Sequence, residues 1–299
     1  MRVFTGSMTC LSIRHETRYS YERPVGFGTH RLLVRPRDSH AMRLTQASLT
    51  LSPLGDTRWA YDALGNSVCF FSPQGQATEL LVISDLIIER YPATLAAARP
   101  EDPLTLTPVV YDRTDWLLLA PFMEPVTEDP DNALLSWVRG LVDQPGERAL
   151  DFLLRLNSHI HRNFTYSPRY APGTQAPAQT VQWGSGTCRD FAWLMVEALR
   201  RLGYAARFVT GYLFSQANLD VRGAGATHAW CEVFLPDLGW IEFDPTNGLA
   251  ESSDLIPIAV ARTPDEAAPI SGALVGDPGY SQMEVHVDVR PAGPFAQVA

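Results

Sequence analysis

Three short segments in the second half of the chain constrain its fold more than any other feature: Gly184-Ser185-Gly186-Thr187-Cys188-Arg189-Asp190-Phe191-Ala192, Thr227-His228-Ala229-Trp230 and Trp240-Ile241-Glu242-Phe243-Asp244-Pro245-Thr246. The first leaves a glycine turn and opens a run from Cys188 to Leu202. In that run Phe191, Leu194, Met195, Ala198, Leu199 and Leu202 recur at helical spacing, and Gly203 closes it. The other two segments read as arms of a β-hairpin: Thr227 to Leu235 as a strand, Pro236-Asp237-Leu238-Gly239 as the turn, and Trp240 to Phe243 as the returning strand. The pattern predicts an amphipathic helix with a thiol in its first turn. It also predicts a hairpin that brings His228 and Asp244 opposite each other within a residue or two.

These settings suit one kind of chemistry. The unpaired N–H groups and positive dipole end at a helix start favour thiolate over thiol, and the thiolate is the nucleophile. The N–H of Cys188 itself can point at a developing oxyanion. His228 is the candidate base, and Asp244 the carboxylate that fixes its tautomer and stabilises the imidazolium. Strand parity puts His228, Trp230 and Glu232 on one face and Cys231 on the other, which marks Cys231 as core. Gln182, six residues before Cys188, is a candidate side-chain oxyanion donor, with a surface amide as its plainer reading. Trp183 and Trp230 flank nucleophile and base and are candidate cleft walls. Taken singly, Cys188 could be structural, His228 a satisfied core histidine and Asp244 a strand-end cap; their joint placement favours catalysis.

The rest of the chain supplies a frame. Residues 11 to about 93 alternate apolar and polar, with turn signals at Asp62 to Asn66 and Ser72 to Gly75, as in a β-sandwich. A Pro-containing connection leads to helical stretches at Ala133 to Val142 and Glu147 to Arg162. A small-residue loop, 171–180, precedes the nucleophile, and the alternating valines of Gln282 to Val289 read as one last strand. The expected fold is α+β: a β-rich N-terminal domain (1–95), a connection (96–130) and a catalytic domain (131–299) with Cys188 at a helix N-terminus on an antiparallel sheet. At 299 residues, 45% of them hydrophobic, the chain can bury a substantial core.

The net charge of −9 and the lack of a Lys/Arg block argue against nucleic acid or an anionic membrane as partner. No apolar run reaches membrane-spanning length, and the first residues lack a signal-peptide core, so a cytoplasmic location is expected. The four cysteines show neither a disulfide framework nor zinc spacing. His159 with His161, His286 with Asp288, and Glu128-Asp129-Pro130-Asp131 make poor metal sites. No phosphate-cradling glycine motif occurs, so no cofactor is expected.

The order of a helix-opening cysteine, Ala224-Gly225-Ala226-Thr227-His228-Ala229-Trp230 and Trp240-Ile241-Glu242-Phe243-Asp244-Pro245-Thr246 resembles the transglutaminase-like superfamily, in particular its bacterial cysteine protease-like branch. The string Leu202 to Tyr212 is similar to that branch too. His15-Glu16-Thr17-Arg18-Tyr19-Ser20-Tyr21 and Asp62-Ala63-Leu64-Gly65-Asn66 resemble the β-rich domain that precedes this core in bacteria. The resemblance implies a papain-like core with Cys188 as nucleophile, His228 as base and Asp244 as orienting carboxylate. It also implies an aromatic oxyanion donor, for which Tyr166 is the candidate. The implied reaction is acyl transfer on a peptide or protein amide through a thioester. Hydrolysis is the favoured outcome, and transfer to an amine or a non-catalytic binding role are the alternatives. The calcium dependence of animal transglutaminases is not carried over, and the oligomeric state is not set by the sequence.

Overall fold

The computed structural model describes residues 8–91, 105–169, 173–214, 222, 225–236 and 238–293. The elements begin with six strands, β1 (Thr9–Phe27), β2 (His30–Arg35), β3 (Met42–Ser52), β4 (Gly55–Tyr61), β5 (Ser67–Pro73) and β6 (Gln76–Arg90). Then come α1 (Arg113–Met123), α2 (Ala133–Arg139), α3 (Ala149–Asn163), β7 (Thr165–Tyr166), α4 (Pro177–Trp183), β8 (Ser185–Gly186) and α5 (Cys188–Arg201). The rest is strand: β9 (Ala206–Leu213), β10 (His228–Leu235), β11 (Gly239–Asp244), β12 (Leu249–Ala250), β13 (Leu255–Ala261), β14 (Ile270–Ser271), β15 (Leu274–Val275) and β16 (Ser281–Pro291). Among the described residues no helix is long and apolar enough to cross a membrane.

Alternation makes the first layer pair. Along β1 the buried residues are Leu11, Ile13, His15, Thr17, Tyr21 and Val25, all of one parity, so one face of a long strand is committed inward. Strands β1, β6 and β3 form one sheet and β2, β5 and β4 another. Val25, Leu32, Val34, Cys69, Phe71, Leu80 and Val82 fill the space between them. The third sheet, β12-β11-β10-β9-β13, is antiparallel throughout and carries α5 on one face. The expected α+β architecture is therefore present, a sandwich followed by a helix packed on an antiparallel sheet.

Three sequence expectations change. The catalytic unit expected at 131–299 does not keep its last segment: β14 pairs with β2, β15 with β1, and β16 pairs with β1 from Leu11↔Pro291 to Tyr21↔Ser281. The reason is an edge. Beyond β6, β1 offers a long open side, and a period-2 strand at the chain end satisfies both its own backbone groups and those of β1. Secondly, α1 lies within the expected connection and α4 begins within the expected loop and runs three residues past it. Pro121 inside the first and Pro177 at the N-terminus of the second are punctuation signals that mask helical periodicity in short elements. The parts of those two segments at 96–104 and 171–172 lie outside the described residues.

Thirdly, α5 is not a half-wet amphipathic helix. Twelve of its fourteen residues are buried, because α1, α2, α3 and α4 enclose the side away from the sheet. Its polar residues are satisfied inside. Arg200 donates from Nε to Phe122 O (3.0 Å) and Ala206 O (3.1 Å), from Nη2 to Arg262 O (2.8 Å), and pairs with Glu197 at 3.2 Å. Glu197 also accepts from the Val126 and Thr127 amides at 3.1 and 2.8 Å and from Arg201 at 2.9 Å. Burial alone would raise the Glu197 carboxyl, but the donors from Thr127, Arg201 and Val126 outweigh it and hold it below its ordinary value.

The sandwich and the third sheet share a core. Leu11, Ile13, Met42, Leu86 and Ile88 pack against Tyr212, Phe214, Ile256 and Ile258, with Val287 of β16 among them. Polar clamps cross the same boundary. Asn66 donates to Val260 O (2.7 Å) and accepts from Val260 N (2.9 Å), and His15 Nδ1 meets the Tyr212 hydroxyl at 2.9 Å. Burial pushes the His15 imidazole down to about 4, so it sits neutral between the layers.

Candidate active site

The position of Cys188 is built locally. Thr187 caps α5: its side chain accepts from the Asp190 amide, while Asp190 accepts from Thr187 N and Oγ1, both at 2.8 Å, which completes a capping box. The other Asp190 oxygen accepts from Gln175 N (2.7 Å) and Arg169 Nη2 (3.1 Å), so the helix start is pinned to the segment that borders it. Gly186 is required here, because a Cβ would run into Asp190 Cβ and the Phe191 ring. This leaves Cys188 at the first helical position with its sulfur toward a cleft of about 390 Å³.

The hairpin delivers the other two groups. The register Cys231↔Phe243 places Asp244 within two residues of a position opposite His228, as the turn length predicts. Asp237 of that turn lies outside the described residues. His228 Nε2 donates to Asp244 Oδ2 at 2.8 Å, and both side chains are fully buried. That bond leaves the basic lone pair of the neutral ring on Nδ1. Nδ1 has no hydrogen-bond partner among the described residues, and Cys188 is one of the groups that raise the ring. Burial disfavours the imidazolium. Asp244 on one side and Cys188 on the other outweigh that and hold His228 up at about 10. Asp244 is likewise opposed by burial but kept below its ordinary value by His228, Asn247 and the Thr246 amide.

The sequence candidates separate in space. Tyr166, Cys188 and His228 line the cleft, and Asp244 stands directly behind His228. Tyr166 is fixed by the parallel pair β7-β8, in which it lies opposite Gly186, and Ser167 N donates to Gly186 O at 2.9 Å. Burial and the neighbouring Cys188 raise its phenol, so it stays a donor. The other three candidates are placed elsewhere. Gln182 and Trp183 lie exposed at the end of α4, outside the cleft lining, because the αL turn at Gly184 directs the chain away from them before it reaches Cys188. Trp230 is fully buried rather than a cleft wall. It stacks on His228 (ring centroids 6.0 Å, 28°) and donates from Nε1 to Glu242 Oε1 at 3.1 Å, bracing the imidazole from behind. Parity places Trp230 on the His228 face, but the packing of β9 and β13 closes that face beyond the histidine. Gly211, opposite His228, has no room for a Cβ against Ile256 O and the Trp230 ring.

Two supporting residues escaped the sequence reading. Asn247 Nδ2 donates to Asp244 Oδ2 at 2.8 Å, and its side-chain oxygen accepts from Arg222 N at 3.0 Å. His161, set aside as a metal ligand, holds Thr246 O through Nδ1 at 2.9 Å and fixes the same turn. The available signal was Asn247-Gly248 directly after Asp244-Pro245-Thr246, a turn dipeptide that recommends looking for side-chain support of the carboxylate. Among the described residues no group of three or more His, Cys, Asp or Glu side chains could hold a metal ion.

The thiols differ in a way that can be measured. Cys188 borders the cleft, whereas Cys69 and Cys231 are fully enclosed, and burial raises the Cys231 thiol well above its ordinary value. Iodoacetamide near neutral pH should therefore alkylate Cys188 faster than Cys69 or Cys231 by about tenfold or more, and His228→Ala should slow that reaction. Equal rates at the three positions in the folded protein, read by peptide mass spectrometry, would remove Cys188 as the nucleophile.

A cysteine at the start of a buried helix, across a cleft from a sheet that carries histidine and aspartate, defines the papain-like α+β class. Residues 136–245 match the transglutaminase-like superfamily, and residues 11–89 match the bacterial transglutaminase-like N-terminal region. The chain thus carries a transglutaminase-like core preceded by a bacterial transglutaminase-like N-terminal region. It is 26% identical over 297 residues to an uncharacterized protein of Mycobacterium tuberculosis, covering 93% of this chain and 92% of that one. Over 126 residues it is 33% identical to a protein-glutamine gamma-glutamyltransferase of Pseudomonas aeruginosa, covering 40% of this chain and 18% of that protein. Its fold matches a solved structure from Cytophaga hutchinsonii, described as a "putative cysteine protease", with a TM-score of 0.69 and 18% identity over 98% of this chain and 93% of that one.

Proposed function

We propose that the protein is a cysteine-dependent acyl-transfer enzyme acting on peptide or protein amides, with Cys188, His228 and Asp244 as its triad and water as the usual acceptor. The single observation that carries this reading is the division of His228 between its two neighbours. Nε2 is committed to Asp244 at 2.8 Å, Nδ1 has no hydrogen-bond partner among the described residues, and Cys188 shares the cleft lining with the ring and helps to raise it. A ring held at about 10 carries a proton at neutral pH, the form that can protonate a leaving amine.

The steps balance as follows. The Cys188 sulfur attacks the amide carbonyl carbon and forms a C–S bond, and the oxygen becomes an oxyanion that can accept from the Cys188 N–H and the Tyr166 hydroxyl. As the carbonyl reforms, the C–N bond breaks and the nitrogen takes the proton from His228. The ring, now neutral, then accepts a proton from water as the water oxygen adds to the thioester. Breaking the C–S bond releases the acid and restores the thiolate–imidazolium pair. An amine in place of water would give transfer, with the same triad.

Trapping decides both questions. Peptide amides are to be turned over in ¹⁸O water, with and without a primary amine, and the acyl group located by mass spectrometry at Cys188. The expected result is a Cys188 thioester and an ¹⁸O-labelled acid as the main product even with amine present. A dominant amine adduct would make the enzyme a transglutaminase. Turnover that persists in Cys188→Ala would overturn the mechanism.

A further inference from the structure

The charge around the cleft runs against that of the chain. The protein as a whole is acidic at −9, yet the described side chains closest to Cys188 include Arg169 and Arg189 in the cleft wall. Arg222 acts from beside Tyr166. Arg169 is engaged, since Asp190 holds it at 3.1 Å. Arg189 and Arg222 are different. Arg189 lies exposed at the cleft, next to the nucleophile in sequence, and makes no ion pair or hydrogen bond among the described residues. Arg222 is half-buried. Its backbone is tied to the triad, because Arg222 N donates to Asn247 Oδ1 (3.0 Å) and Asn247 Nδ2, which supports Asp244, also reaches Arg222 O (3.3 Å). Its Nη1 is buried and has no partner among the described residues.

A buried guanidinium nitrogen without an acceptor is costly, and a carboxylate is the group that best relieves it, through charge-assisted bonds to a planar fork of donors. Arg189 shares the cleft lining with Tyr166, and both Arg189 and Arg222 lower the phenol electrostatically, against the burial that raises it. A single acidic residue, Asp265, lines the cleft among the described residues. The ligand is a small anionic group rather than a polyanion, because Arg189 borders a confined cleft, Arg222 is half-buried and the chain as a whole carries a net charge of −9.

From this we infer that Arg189 and Arg222 form an anion-recognition site, and that the preferred acyl donor is an amide with a carboxylate close to the bond that is cleaved. The substrate class rests on the acyl-transfer reading; the anion site itself does not. Side chains of Asp or Glu beside the scissile bond, or a free C-terminal carboxylate, present the shared chemistry.

Two measurements test the site separately from the reaction. In the first, Cys188 is alkylated by iodoacetate and by iodoacetamide, reagents of the same size that differ in charge. The ratio of their rates should favour iodoacetate in the wild type relative to Arg189→Gln or Arg222→Gln by about tenfold. Arg189→Lys should keep part of that preference, and added salt should reduce it. In the second, kcat/KM is compared for peptide amides that differ only in Glu or Gln next to the cleaved bond, and for the same peptides with a free or amidated C-terminus. The wild type should favour one of the acidic forms by about tenfold, with near parity in Arg189→Gln. Should Arg222→Gln fail to fold, Arg189→Gln carries both measurements alone. An alkylation ratio unchanged by Arg189→Gln would overturn the anion site. Equal kcat/KM for acidic and neutral donors would overturn the substrate class. A shifted alkylation ratio without turnover of any amide would leave the anion site standing and overturn the acyl-transfer reading.

Discussion

Asp244→Asn is expected to lower kcat by about 10⁴-fold, through the tautomer of His228 rather than through loss of the fold. Asp244 accepts four hydrogen bonds: from His228 Nε2 and Asn247 Nδ2 on Oδ2, and from the Thr246 and Asn247 amides on Oδ1. An asparagine keeps one oxygen for the two backbone amides and turns its NH₂ toward the ring. Nε2 must then accept, the ring proton moves to Nδ1, and the lone pair that should face Cys188 is gone. Stability supplies a second readout. The folded pKa of His228, about 10, lies above the ordinary value of 6.5, so its pairing stabilises the native state fully below about pH 6.5 and progressively less as pH rises toward 10. The variant lacks this contribution. Its Tm deficit should be largest in mild acid and shrink in alkali, whereas a general packing defect would persist across that range. An Asp244→Asn protein with wild-type kcat would remove the carboxylate from the triad.

Glu197→Ala is expected to destabilise the protein by about 3–5 kcal/mol, the cost of breaking a buried ion pair from one side. The carboxylate joins Arg200, Arg201, Thr127 and the Val126 amide, and both Glu197 and Arg200 side chains are fully enclosed. Its removal strands the Arg200 charge within α5, the helix that carries Cys188. Urea unfolding followed by far-UV circular dichroism would show the midpoint fall with an unchanged slope. Cys188→Ala, which removes a single sulfur at a cleft, should unfold within a few degrees of wild type while losing turnover. The two variants thus separate what holds the helix from what the helix presents. A Glu197→Ala midpoint equal to wild type would mean that water compensates Arg200 and that the helix is less enclosed than its burial indicates.

Local grammar carried much of the site. Cys188 after a glycine turn, the Thr187/Asp190 cap, the turn at 236–239 and the parity of His228 and Asp244 depend on residues a few positions apart, so sequence alone determines them. Tyr166 was reachable only by resemblance, since its place beside Gly186 depends on a two-residue parallel pairing that has no periodic signature. Gln182 and Trp183 show the opposite failure. Proximity in sequence to Cys188 was taken for proximity in space, and one left-handed residue at Gly184 separates the two. Trp230 had the right face and the wrong exposure, because burial depends on which strands lie beyond it.

Local order alone brings Cys188 to a helix start and places His228 and Asp244 on the two arms of one hairpin. Hydrophobic period, turn residues and caps act over a few residues, and those interactions are written in local order. Only the tertiary structure decided how the layers close. It took β16 from the end of the chain to the edge of β1, placing Met283 and Val285 in the cleft wall, and set His15 against Tyr212 across the shared core. It also buried twelve of the fourteen residues of α5 and left Nη1 of Arg222 without a partner among the described residues. Pairing of strands some 270 residues apart and the desolvation of charges depend on the sum of all packed neighbours, which no window of sequence contains.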